Sequence, residues 1–306
     1  MINYDKYFLK NRPAASINTL KAYNTSIRTL SRYLNKKIET PKDLIDNVDE
    51  IIKVYENVKY TTRKSHIAAF ISFIDNGTKE SKEALDKLRK VLITDVNQYN
   101  EYLNTQTKSD IERENWLEWS EIIKRYQSFE KEIGLLWKLE PEELSKANYN
   151  KLKLYVLLSC YVLIPPRRNL DYTAFKIRNY DPTKDNYMKG KKFIFNNYKT
   201  ARTYGTNEVK IPNKLYSIMN KWIKLNPSDY LLTGATDKYK PITGPQLTTM
   251  LNTFFDKRVS VNLLRHSFLT HMYKDLPDLK EMKERAEEMG HSLDQALEYV
   301  KKDKDE

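Results

Sequence analysis

The sequence predicts a mainly α-helical protein with one small β-sheet (α+β) and two domains. Apolar residues recur at intervals of three and four over most of the chain, which is the period of a helix. Short alternating segments between residues 174 and 211 predict the sheet. A polar stretch at residues 104–115 predicts a linker between a first domain at 1–107 and a second at 108–306. With 306 residues and 40% hydrophobic content, the chain is long enough for two cores.

The first domain is predicted to be a helical bundle of roughly a hundred residues. Ser16 is a plausible cap of its first helix, and Pro41 fits the first turn of the second. The four predicted helices are residues 16–34, 41–55, 61–76 and 81–103. Their polar faces carry basic residues that would suit contacts with a DNA backbone, the alternative being ordinary solvated charges: Arg28, Arg32, Arg63 and Lys64.

The second domain contains the most apolar run of the chain, residues 151–164. This run is too short to span a bilayer and predicts a buried helix, which ends at Pro165 because proline cannot continue it. Strands are predicted at 174–178, 191–196 and 208–211, and helices at 212–225, 243–255 and 261–273. An apolar stripe then ends at Gly290, and a new helix beginning at Ser292 is expected to carry Tyr299.

Composition narrows the classes of function. The formal net charge of +12 favours a polyanionic partner, although a generally basic surface is the alternative. The single Cys160 excludes a disulfide framework and fits a reducing compartment. No signal peptide or run of about 20 apolar residues is visible, so we expect an intracellular protein, in the cytoplasm or nucleus of its host, that is neither secreted nor in a membrane. Nucleotide-binding loops and metal-ligand spacings are also missing, so neither a cofactor nor a metal is expected.

Groups that handle phosphate follow one another along the second domain. PPRRNLDY places Arg167 and Arg168 directly after the core helix, where a rigidly held guanidinium can bind a phosphate through two hydrogen bonds. Lys199 lies beside a hairpin turn, with Arg202 close after it as a further candidate for DNA contact. NLLRHSF then supplies Arg265 and His266, and Gly290-His291 precedes Tyr299 by eight residues. Each group alone would suit an ordinary surface; the combination predicts a phosphate site beside a nucleophile.

In this order the motifs resemble those of the tyrosine recombinase (phage integrase) family. The helical bundle is similar to the family's core-binding domain, and residues 116–306 are similar to its catalytic domain. PPRRNLDY matches the first arginine motif, in which an acid follows three residues after the arginine. This spacing selects Arg168 with Asp171, and Arg167 is the alternative if the motif is shifted by one.

The resemblance implies a site-specific DNA recombinase or integrase that needs no ATP. Tyr299 would attack the scissile phosphate to give a 3′-phosphotyrosine, and Lys199 would protonate the leaving 5′-oxygen. Arg168, Arg265 and His291 would stabilise the transition state, with Asp171 and His266 supporting them. The implied partner is double-stranded DNA, which a homotetramer would bind, and a monomer is the expected state of the free protein. Whether Tyr299 acts in its own subunit or a neighbouring one is open, and the alternatives are a type IB topoisomerase-like activity and an inactive DNA-binding relative.

One residue departs from the family pattern. The second arginine motif is usually His-x-x-Arg, and here Asn262 stands at the histidine position before Arg265. Asparagine can donate a hydrogen bond to a phosphate oxygen, but it cannot carry a proton at neutral pH. The family tolerates variation at this position, so we expect Asn262 to bind phosphate and the protein to be active, while the effect of Asn262 on the acid-base roles stays open.

Overall fold

The protein is mainly α-helical with a small antiparallel sheet, as the sequence predicts. A computed structural model describes residues 3–75, 77–234, 237, 239–274, 276–288 and 293–294, without the side chains of 284–288. The described residues of Met1–Thr107 and Pro277–Glu306 form one compact unit, and those of Lys108–Leu276 form the other.

The first unit is built from helices. Ser16 caps the second of them by accepting a hydrogen bond from the Thr19 amide, which confirms the predicted start. The segment predicted as one helix from 41 to 55 is two helices, because Asn47 leaves the helical conformation between them. A first helix at Asp5–Asn11 was not predicted. In chain order the helices are α1 Asp5–Asn11, α2 Ile17–Leu34, α3 Pro41–Asp46, α4 Val48–Tyr55, α5 Tyr60–Phe73 and α6 Lys79–Asn104.

The second unit is also mainly helical. The prediction of a linker at residues 104–115 is partly wrong, because α6 extends to Asn104 and a further helix occupies Asp110–Asn115. A capping box explains the latter: Ser109 and Glu112 each satisfy the other's backbone amide. Its helices are α7 Asp110–Asn115, α8 Trp119–Glu132, α9 Lys146–Val162, α10 Asn169–Thr173, α11 Ala201–Tyr204, α12 Asn213–Leu225, α13 Gly244–Phe255 and α14 Val261–Met272. Helix α15 Leu279–Glu288 belongs to the first unit.

The sheet has three antiparallel strands in the order β1 Tyr187–Lys189, β2 Lys192–Phe195 and β3 Asn207–Lys210. The predicted strand at 174–178 is wrong, since Lys176 forms only isolated bridges with Tyr187 and Tyr230. The first strand lies instead directly before the second. Gly190, with φ of +56°, allows the tight turn between them.

Helix α9 is the centre of the second unit. It packs against α8 and α12, and residues such as Leu152, Val156 and Leu157 are fully buried. Its burial on most sides explains the continuous apolar run in the sequence. Because the helix is fixed in the core, the arginines that follow it begin from a rigid support. Within the ranges that the structure describes, we find no helix with both the length and the apolar character needed to cross a bilayer.

Candidate functional site

Arg167 is held on three sides by its neighbours in the second unit. Its Nε donates to Oδ2 of Asp171 over 2.7 Å, and a terminal nitrogen donates to Oδ1 of Asn207 over 2.9 Å. Its guanidinium also stacks on Phe195, with Cζ 3.9 Å from the ring centroid. The carboxylate of Asp171 is therefore paired with Arg167, whereas the spacing in the sequence had selected Arg168.

Three arginines lie within electrostatic reach of Asp171. Burial lowers the pKa of Arg265, and the positive charges of Arg168 and Arg167 lower it further, while Asp171 opposes them. The structure thus brings residues separated by almost a hundred positions into one cluster, which we call the arginine cluster: Arg167, Arg168, Asp171 and Arg265. Three arginine charges within electrostatic reach of one carboxylate leave positive charge uncompensated, and a phosphate group would neutralise it.

Asp171 is the buried member of the arginine cluster. It is 4% exposed, and its Oδ1 has no hydrogen-bond partner among the described residues. Burial raises the pKa of this carboxyl, although the charges of Arg167, Arg168 and Arg265 each lower it. The side chain lies too deep to meet a large ligand directly, so its effect on the cluster is to orient the guanidinium of Arg167.

A buried asparagine connects the arginine cluster with the segment that carries Lys199. Asn186 is 2% exposed, and its Nδ2 donates to the backbone oxygens of Asp171 and Asn197. Its Oδ1 accepts from the amides of Asn196 and Asn197 over 2.9 and 2.7 Å. The sequence analysis missed Asn186, since an asparagine before a strand looks like an ordinary turn residue.

Lys199 lies in the connection between β2 and β3, and it is exposed. The connection includes α11, where the side chain of Arg202 is also exposed. Tyr198, next to Lys199, donates its hydroxyl hydrogen to the Gly205 oxygen over 2.8 Å and so ties the two ends of this loop together. Lys199 is thus on a short braced loop, and its ammonium is open to solvent.

Helix α14 carries the second arginine motif. Ser260 caps it by accepting from the Leu263 amide, and Asn262 is exposed in its first turn. Arg265, one turn later, is half-buried and is the member of the arginine cluster that α14 contributes. His266 points elsewhere: its Nδ1 lies 3.0 Å from Oε1 of Glu112, so it joins α14 to α7.

The basic residues of the first unit differ in what surrounds them. Arg63 uses Nε and one terminal nitrogen on the fully buried carboxylate of Asp95, and its other terminal nitrogen donates to backbone oxygens of Tyr55 and Glu56. These contacts give Arg63 a structural role inside the bundle. Lys64 lies over the ring of Tyr99, 3.2 Å from its centroid. Arg32 is exposed and Arg28 is half-buried.

Two of the predicted catalytic residues, His291 and Tyr299, lie outside the described residues. The arginine cluster and the Lys199 loop are therefore the described part of the candidate site. No family model and no curated protein matched the chain. The chemistry of the site has to be argued from its own residues.

Proposed function

We propose that the protein is a site-specific DNA recombinase, which cleaves and rejoins double-stranded DNA through a 3′-phosphotyrosine intermediate. The observation that carries the proposal is the arginine cluster, in which Arg168 and Arg265 lie within electrostatic reach of the carboxylate that pairs with Arg167. A phosphodiester gains charge on its non-bridging oxygens when it becomes pentacoordinate, and guanidinium groups fixed in advance stabilise that charge. The resemblance of the motifs to the tyrosine recombinase family supports the same function.

In the proposed reaction, the phenol of Tyr299 releases its proton to solvent as its oxygen forms a bond to phosphorus, and the bond from phosphorus to the 5′-oxygen breaks. Lys199 donates a proton to that oxygen, so a free 5′-hydroxyl leaves. Arg168 and Arg265 bind the non-bridging oxygens, together with His291. The 5′-hydroxyl of a partner strand then attacks the phosphotyrosine, which restores the diester without ATP.

Each described residue has a chemical reason for its proposed part. Arg168 is exposed and Arg265 is half-buried, so the cluster presents guanidinium groups at the surface, where a DNA backbone can reach them. Lys199 is exposed on a braced loop, which suits a proton donor that must meet DNA. Asn262 is exposed on the same helix as Arg265 and would add a neutral hydrogen bond to phosphate. We further propose that exchange takes place in a homotetramer on DNA inside the host cell.

A trapping experiment tests the proposal without knowledge of the target site. The protein is incubated with a library of nicked duplexes whose centre is randomised, and the DNA that stays bound after denaturation is recovered and sequenced. A nick close to the cleavage point lets the 5′-hydroxyl strand diffuse away, so the phosphotyrosine accumulates. We expect covalent complexes on an enriched sequence.

Variants assign the adduct to residues. Tyr299→Phe should form no adduct, while Tyr273→Phe should form as much as the unchanged protein. Arg265→Ala should abolish cleavage and largely keep DNA binding. Binding without any adduct would leave an inactive DNA-binding relative as the function, and an adduct on every sequence alike would favour a topoisomerase-like enzyme.

A further inference from the structure

A cavity of about 650 Å³ lies in the Lys108–Leu276 unit, apart from the residues of the arginine cluster. Lys146, Tyr149, Asn150 and Lys153 form one wall of it, because spacings of three and four place them on one face of α9. The lining also has an apolar part, which includes Leu144, Leu225, Pro141 and Pro227. Cavities of roughly 300–1,000 Å³ with apolar walls and a few polar groups are typical of small-molecule sites. We call it the Lys153 cavity.

The feature that sets this cavity apart is its buried ammonium group. Lys153 is 3% exposed, and its Nζ donates one hydrogen bond, to the Thr233 oxygen over 3.0 Å. An ammonium has three donors, so two of them have no hydrogen-bond acceptor among the residues that the structure describes. Among the described residues, no carboxylate forms an ion pair with Lys153. Burial lowers the pKa of Lys153, and the positive charge of Lys146 lowers it further.

The Tyr149 ring lies 6.0 Å from the Lys153 ammonium, but neither this ring nor the Thr233 oxygen carries a negative charge, so the buried positive charge is unfavourable for the protein alone. Charged groups in protein interiors are normally paired, and an apolar side chain of the same length would fill the space at less cost. Glu142, the acidic residue among the described lining residues, is exposed. The negative charge that neutralises Lys153 can therefore come from a bound ligand. Lys146 and Lys153 provide two cations for this ligand on one wall of the cavity.

We propose that the Lys153 cavity binds a small organic anion, whose carboxylate or phosphate group pairs with Lys153 and Lys146. Its apolar body would lie against Leu144 and Leu225. The Tyr149 hydroxyl donates to Oδ1 of Asn226 over 3.0 Å, which fixes the ring between the two lysines. This site is separate from the proposed DNA chemistry, since Lys153 lies about 14 Å along α9 from the end of the helix that precedes Arg167.

Thermal unfolding tests the proposal with two probes, benzoate for the carboxylate and phenyl phosphate for the phosphate. Benzyl alcohol is the neutral control, and sodium chloride matches the ionic strength. A ligand that binds only the folded protein raises its melting temperature, so we expect at least one probe to raise it by about 2–4 °C beyond chloride. The probe with the larger shift identifies the anionic group. No shift beyond chloride with either probe overturns the proposal.

Substitutions show which residues the rise in melting temperature depends on. Lys153→Met should remove the shift, and without ligand it should melt at or above the temperature of the unchanged protein, since the buried charge is gone. Lys151→Met is the matched control: Lys151 is exposed on the same helix and pairs with Glu132, so its loss should leave the shift intact. A shift that persists in Lys153→Met overturns the site. A phenyl phosphate shift lost in Arg265→Ala instead belongs to the arginine cluster and overturns the phosphate form of the proposal.

Discussion

Two adjacent arginines in PPRRNLDY have different surroundings. This difference gives one of them a structural role and makes the other a candidate phosphate ligand. Arg167 donates to Asp171 and Asn207 and stacks on Phe195. Arg168 is exposed, and its charge still reaches both Asp171 and Arg265. A guanidinium committed to internal partners has few donors left for a phosphate. Arg168 is therefore the better phosphate ligand, and Arg167 holds the carboxylate that shapes the cluster.

Alanine at each position should separate the two roles. Arg167→Ala leaves a buried carboxylate without its ion pair, and should lower the free energy of unfolding by about 3 kcal/mol. Arg168→Ala removes an exposed side chain, and should change that free energy by no more than about 0.5 kcal/mol while abolishing the covalent adduct. Urea denaturation and the trapping assay measure the two effects. Equal losses of stability at both positions would contradict the assignment.

At the scale of elements, Asn186 links α10 to the exit of β2 through four hydrogen bonds. Asn186→Ala removes all four and should release the segment that leads to Lys199. Exchange of the Asn196 and Asn197 amide hydrogens should then become about tenfold faster, as expected for losing roughly one net hydrogen bond. Hydrogen exchange followed by mass spectrometry or NMR measures this. Asn197→Ala is the control, because it shortens an exposed side chain and leaves the backbone bonds in place.

The contact between α7 and α14 should depend on pH. The backbone amide of Ser109 holds the pKa of Glu112 below its usual value, and the Ser109 hydroxyl and His266 act in the same direction. A carboxyl whose pKa is lowered on folding stabilises the protein above its unfolded pKa, and this contribution is lost as pH falls through the folded value. At pH 7, Glu112→Gln should lower the free energy of unfolding by about 1 kcal/mol, the difference between charged and neutral hydrogen bonds.

The difference in free energy of unfolding between Glu112→Gln and the unchanged protein should shrink as the pH falls from neutral to strongly acidic. Urea denaturation across that range measures it. Glu114→Gln, at an exposed position of the same helix, is the control for loss of charge. A difference that stays constant with pH would mean that the Glu112 charge contributes nothing.

The elements also differ in how well the sequence predicted them. Helices with apolar stripes, such as α2 and α12, were predicted to within one or two residues, because burial of one face leaves a period in the sequence. The strand at Tyr187–Lys189 left no such pattern, since it is three residues long and follows polar residues. In the site, the motifs selected Arg265 and the PPRR segment. They gave no sign of the Asn186 bonds or of the Arg167 pairing with Asp171, which depend on tertiary contacts.

At the scale of the whole molecule, the net charge of +12 increases DNA affinity only through the side chains that can reach a phosphate. Arg63 contributes to this charge, yet its nitrogens contact Asp95 and two backbone oxygens inside the bundle. Arg32 and Arg202 are exposed candidates. Lys87 is exposed as well, but it is paired with Asp49 over 2.6 Å. Local surroundings, more than total charge, should therefore decide which residues affect DNA affinity.

The salt dependence of DNA binding can test this view. Each phosphate neutralised by a protein cation releases condensed counterions, so the logarithm of the affinity falls with the logarithm of salt concentration, with a slope of about 0.9 per contact. Arg32→Ala should reduce that slope by about 1 and weaken binding to all sequences alike. Lys87→Met removes the same charge and should leave the slope unchanged, because its ammonium already has a carboxylate partner. Fluorescence anisotropy on a 30-base-pair duplex, from about 50 to 200 mM sodium chloride, covers the range in which such slopes are measured. If both variants reduce the slope equally, the total charge governs binding and the candidate contact is wrong.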